Sequence, residues 1–83
     1  MRKYKLYIDG VSYIDNEGNV CNYKITTSRS SKIAAETYGR NVTITDLHDK
    51  IISQAILVNG KGINVEFDPY EFIKVKKEKE AMK

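Results

Sequence analysis

Residues 46–67, DLHDKIISQAILVNGKGINVEF, form the most apolar stretch of this 83-residue chain, and their reading decides the fold. Leu47, Ile51, Ala55 and Val58 recur at helical spacing, with Ile52 and Ile56 widening the stripe. Beyond Asn59-Gly60-Lys61-Gly62 the period changes to two: Ile63, Val65 and Phe67 alternate with Asn64 and Glu66. This pattern predicts a principal helix over Asp46–Ala55, capped by Thr45, then a tight reversal and a strand. Asp46 also suits the positive end of a helix. The competing reading makes Ile51–Val58 a strand, paired across Asn59-Gly60 with Ile63–Phe67. The run AILV fits either.

Outward from there, Tyr4, Leu6 and Ile8 alternate with Lys3, Lys5 and Tyr7, as in a strand. Asp9-Gly10 is a hairpin signal, because both centres of a type I′ turn need positive φ. Val11–Asp15 would return, Asn16–Asn19 would turn again, and Val20–Thr27 would complete a three-stranded meander. Alternatively, residues 3–14 form one long strand bulged at Asp9-Gly10. The hydroxyl-rich loop Thr26–Ser31 ends in a helix cap at Ser30 or Ser31. Lys32–Tyr38 would be a short helix, with Ile33, and with it Ala34 and Tyr38, facing inward and Gly39 just past its end. Asn41–Thr45 is β-prone.

Asp68-Pro69-Tyr70-Glu71 matches a helix start, with Phe72, Val75 and Lys79 on one face. Ile73 and Val75 alternating with lysines suit an edge strand instead. The expected architecture is a small α+β domain over residues 1–76. An antiparallel sheet of four or five strands carries the principal helix and a short additional one. Residues 77–83 are expected to be a charged tail.

Composition narrows the function classes. One domain of this size buries only about 60% of the surface its unfolded chain exposes, leaving little room for a deep cleft. A single cysteine, Cys21, rules out an internal disulfide framework. There is no signal-peptide pattern and no apolar run of membrane-spanning length, so a cytoplasmic protein with no membrane partner is expected. The formal charge is +3. It is concentrated at the ends of the chain: residues 1–40 carry seven basic and four acidic side chains, and residues 41–70 two and four.

Chemistry-bearing residues are sparse. His48 is the one histidine and reads as a first-turn helix residue, Cys21 as a small core hydrophobe. Asp46, Asp49, Glu66 and Asp68 lack metal-binding spacing. The glycine pair around Lys61 lies after the expected helix rather than before one, which argues for a turn over a phosphate loop. Asn41-Val42-Thr43 matches a glycosylation acceptor pattern only by chance if the chain is not secreted. No catalytic residue, metal or cofactor is expected, and the chain reads as a binding protein.

The basic residues carry the functional expectation. Lys3, Lys5 and Tyr7 share one face of the first strand, with Lys24 near them, and Arg29 and Lys32 flank the serine-rich loop. Cations beside an exposed aromatic are what single-stranded nucleic acid binding uses. These six residues are therefore the expected contact set for nucleic acid, or the chain docks on a protein's nucleic-acid-binding site. The alternative is a protein-interaction module or inhibitor of the kind phages and mobile elements encode, or a structural subunit. Homodimerisation through an exposed sheet edge is a further possibility.

Overall fold

The computed structural model describes residues 2–71 and 73. Its elements are β1 (Tyr4–Ile8), β2 (Tyr13–Ile14), β3 (Val20–Cys21), β4 (Tyr23–Thr26), α1 (Ser31–Tyr38), β5 (Val42–Thr45), β6 (Ile51–Val58) and β7 (Lys61–Asn64). Five strands form one antiparallel sheet in the order β4-β1-β5-β6-β7, and β2 and β3 form a separate two-stranded finger. The α+β class is as expected. The expected principal helix over 46–55 is absent: α1 is the helix that packs on the sheet, and residues 51–58 are its longest strand.

Two local causes decide between helix and strand. Asn59 and Gly60 both hold positive φ, 51° and 79°, the backbone of a type I′ hairpin turn. Val58 and Lys61 pair directly across it, fixing β6 and β7 in register. Upstream, Thr45, the expected cap, is instead a buried β5 residue whose hydroxyl donates to the Asp46 carbonyl at 2.8 Å, and Asp46 makes side chain-to-backbone bonds within a loop. Its Oδ1 accepts from the His48 and Lys50 backbone N–H groups at 2.8 and 3.0 Å. Helix caps and Asx turns use the same residue chemistry, so Asp46 signalled a turn that the periodicity made look like a helix start.

The expected meander is also revised. β1 pairs directly with β4, Tyr4 opposite Thr26 and Tyr7 opposite Tyr23. Pairing resumes in the finger, Tyr13 opposite Cys21. Between the two ladders one arm has five residues, Ile8–Ser12, and the other has Asn22 alone. Asp9-Gly10 is therefore a kink within a long arm, close to the bulged-strand alternative. The Asp9 N–H is given to the Asn41 carbonyl at 3.0 Å. At the finger's tip, Asp15 Oδ1 accepts from the Glu17 and Asn19 N–H groups. The Asn19 bond, foremost, holds the Asp15 carboxyl below its ordinary pKa.

α1 forms as its sequence indicates. Ser30 caps it, accepting from the Ile33 N–H, and Gly39 ends it in the left-handed region at φ 67°. Its inner face matches the expected one only at Ala34, which packs half-buried against the core. Ser31 and Ala35 are buried, while Ile33 is 62% exposed and Tyr38 is also exposed. The reason is close approach. A Cβ on Gly62 would lie 2.3 Å from the Lys32 carbonyl oxygen, so only small side chains fit between helix and sheet. The Gly62 N–H donates to Glu36 at 3.1 Å, and the Ser31 hydroxyl to Asn64 at 3.4 Å. These bonds tie the edge strand β7 to the helix.

The main core lies between α1 and the sheet: Tyr4, Leu6, Ile8, Val42, Ile44 and Ala55 beneath Ala35. Ile51 and Thr45, register partners at a bulge, are buried outside that cluster. After β7 the chain continues along β6, where the Ile51 N–H donates to the Pro69 carbonyl at 2.7 Å. Asp68, read as the cap of a helix start, accepts from the Tyr70 N–H at its Oδ1, and Glu71 and Ile73 beyond it are helical. The expected helix or edge strand over 70–80 and the charged tail lie outside the described residues beyond Ile73. No helix among the described residues is long and apolar enough to cross a membrane.

Candidate nucleic-acid interface

The fold separates the six expected contact residues. Lys5 and Tyr7 are register neighbours on β1, on the sheet face opposite α1. Both are engaged by Asp49: Lys5 Nζ lies 3.0 Å and Tyr7 Oη 2.7 Å from its Oδ1. Tyr23 completes the cluster, its ring centroid 5.5 Å from that of Tyr7 and 4.6 Å from Lys5 Nζ. Lys5 is thus a half-buried, neutralised cation and a poor phosphate contact. Asp49 takes φ 66° to reach it, a conformation that short polar side chains tolerate best.

Burial first, then the Asp49 carboxylate, pushes the Tyr7 phenol well above its ordinary pKa of 10.0. Raised in the fold, this group adds stability that is fully present below about pH 10 and lost above it, as the unfolded chain's phenol ionises first. Stability measured by urea denaturation is therefore expected to fall between about pH 10 and 11. The fall should be shallower in Tyr7→Phe, and an identical fall in that variant would contradict the assignment.

Lys24 lies on the other face, opposite Leu6 in register. It donates to the Tyr38 hydroxyl and sits 4.5 Å from that ring's centroid. The Tyr38 contact raises its pKa. Lys32 sits on α1, beside a shallow recess shared with Glu36, Lys61 and Gly62. The expected grouping of Lys24 and Lys32 with the β1 lysines is thereby corrected: alternation along β4 and the helix's position send them elsewhere.

Lys3 and Arg29 do converge. With Arg2, His48 and Lys50 they surround a groove of about 690 Å³ at the end of the sheet, with Leu47 exposed on its wall. The four Lys and Arg side chains are exposed, against one carboxylate among the described lining residues, Asp46, whose Oδ1 is turned into its own loop. Tyr4, Ile51 and Ile52 supply an apolar floor. Arg29 stands over the buried Tyr4 ring, 5.9 Å from its centroid, and Lys50 over the ring of Tyr70 at 5.7 Å.

Two loops and a strand end build this groove. The Asp46–Lys50 loop delivers His48 and Lys50, and the Ser28–Ser30 loop delivers Arg29. The latter is fixed by Ser53, whose hydroxyl donates to the Arg29 carbonyl at 2.9 Å. Arg2, His48 and Lys50 were not among the expected contacts, because a helix over 46–55 would have carried Lys50 away from Arg29. The pairing of the two loops becomes visible only when 51–58 is read as a strand.

A second concavity of about 650 Å³ lies where Tyr7, Thr43, Gln54 and Ile56 meet the Asp9–Ser12 loop. Among the described residues it has no basic side chain in its lining. Asn41, of the glycosylation-like triplet, has a structural task there: its Oδ1 accepts from the Leu57 N–H. Among the described residues no three His, Cys, Asp or Glu side chains are grouped to hold a metal. Cys21 lies in the finger, its thiol near Asp15 at 3.9 Å.

No protein-family model matches the chain, and no match is found among curated proteins or solved structures.

Proposed function

We propose that this chain is a small non-catalytic module that binds nucleic acid stoichiometrically. The reading rests on one observation, the convergence of Arg2, Lys3, Arg29 and Lys50 around a single groove. Cations brought together from three separate segments create a local field that dispersed lysines lack. Their chemistry is that of phosphate contact: guanidinium forks from Arg2 and Arg29, point charges from Lys3 and Lys50.

Fluorescence anisotropy with labelled DNA and RNA, single- and double-stranded, tests this. Four phosphate contacts to a single strand give a salt slope of about −3, so affinity should fall roughly 50-fold between about 50 and 200 mM salt. Arg29→Ala or Lys50→Ala should each reduce the slope by about one. Affinity insensitive to salt, or no binding at about 50 mM, would remove the proposal.

A second observation favours protein docking. Ile14 and Val20, register partners near the finger's tip, are 76% and 72% exposed. Paired apolar side chains held out on a turn ordered by Asp15 suit insertion into a partner's surface. Consistent failure to recover any protein from a host extract, with the finger intact, would count against this reading.

A further inference from the structure

We infer that the groove takes an unpaired nucleotide of a single strand rather than the backbone of a duplex, an inference that rests on the proposal that the groove binds nucleic acid. The first argument is shape. The site is concave, and its volume of about 690 Å³ lies in the range of pockets that enclose small molecules. A splayed base and its sugar fit a concavity of this size.

The second argument is the pair of exposed apolar side chains in and next to the groove. Leu47 is 50% exposed beside the groove, and Tyr70, beyond Lys50, is equally exposed. Lys50 thus places a cation next to an accessible ring. A phosphate at the cation with its base against the ring is the arrangement single-strand binders use, and it has no use for a stacked, paired base.

The third argument concerns what the described residues do not present to a duplex. Base pairs are read by a helix or two-stranded ribbon inserted into a groove. Among the described residues the ribbon that stands apart from the sheet is the β2–β3 finger, and its tip carries Asp15 and Glu17, which the phosphates would repel. The helix exposes Ile33 and Glu36 beside Lys32, a mixed face with no run of cations.

The test compares a labelled 12-nucleotide single strand with the corresponding duplex at one salt concentration, using the full chain and the variants Tyr70→Ala and Tyr70→Phe. Thermal melting first establishes that the variants fold, as expected for an exposed side chain. The single strand should bind at least roughly 10-fold more tightly than the duplex. Y70A should weaken single-strand binding by roughly 5- to 100-fold, the range for loss of one stacked base, at an unchanged salt slope. Retaining the ring in Y70F should restore the affinity. Salt-dependent binding with equal affinity for duplex and single strand, or with no loss in Y70A, would overturn this inference and leave the groove as a phosphate site. Absence of salt-dependent binding to either would overturn both.

Discussion

Replacing Gly62 by alanine is expected to lower the melting temperature by roughly 10–20 °C. Gly62 is not needed for a positive φ; it is needed for space. A Cβ there would meet the Lys32 carbonyl oxygen at 2.3 Å, with that residue's carbonyl carbon and Cα close behind. The obstacle is helix backbone and cannot rotate aside. Either α1 lifts from β7 or the edge strand bends away, and each movement loosens the cover over Ala35 and Ala55, both fully buried. Overpacking of this kind costs about 1–3 kcal/mol, and more where backbone must move. In a domain this small each kcal/mol shifts melting by about 4–8 °C. The Glu36 bond to the Gly62 N–H would be strained in the same event. Gly60→Ala is the informative companion: nothing lies within 4 Å of a Cβ there, and the cost comes from φ 79° alone, about 1 kcal/mol. A Gly62→Ala protein that melts with the wild type would mean that the helix does not lie on β7.

The second large effect is expected at Asp49. Removal of its carboxylate in Asp49→Ala leaves the Lys5 ammonium and the Tyr7 hydroxyl half-buried without their shared acceptor. An unmet buried polar group costs about 1–3 kcal/mol. Alanine also adopts the left-handed backbone at φ 66° less readily than aspartate does. Asp49→Gly separates the two causes, since glycine accepts that backbone but supplies no carboxylate. Chemical denaturation should rank the wild type above Asp49→Gly, and Asp49→Gly above Asp49→Ala. Equal stability of all three would show that the cluster contributes nothing to folding. Because Asp49 belongs to the loop that carries His48 and Lys50, its loss should also weaken nucleic-acid binding, by loosening the position of Lys50 rather than by removing a contact.

Local signals in the sequence were reliable where one residue type has one use. Ser30 and Gly39 bounded α1, Asn59-Gly60 turned the β6–β7 hairpin, and the alternation of Tyr4, Leu6 and Ile8 marked β1. They failed where one pattern serves two structures. Asp46 suits a helix cap and an Asx turn alike. The spacing of Leu47, Ile51, Ala55 and Val58 matched a helix although Ala55 and Ile51 belong to a bulged strand that buries them in different places. On α1, size misled: Ile33 looked like the inner residue, but the close approach over Gly62 admits only serine and alanine. Half-legibility of the contact set follows from the same error. Lys3 and Arg29 were found because each stands next to a recognisable element. Arg2, His48 and Lys50 were missed because their grouping depends on the order β1-β5-β6, in which Lys5 pairs with Thr45 and Ile8 with Val42, far apart in the chain. Lys5 was misjudged for want of Asp49, a partner 44 positions away.

The central claim, that the basic groove at the sheet's end is the binding surface, is tested most directly by titrating ¹⁵N-labelled protein with a short single-stranded oligonucleotide and following backbone amide shifts. The expected perturbations fall on residues 2–4, 28–30 and 46–52, together with Tyr70, and fade as salt is raised. Perturbations centred on Lys24 and Lys32, on the finger around Ile14 and Val20, or on no residue at all would contradict it.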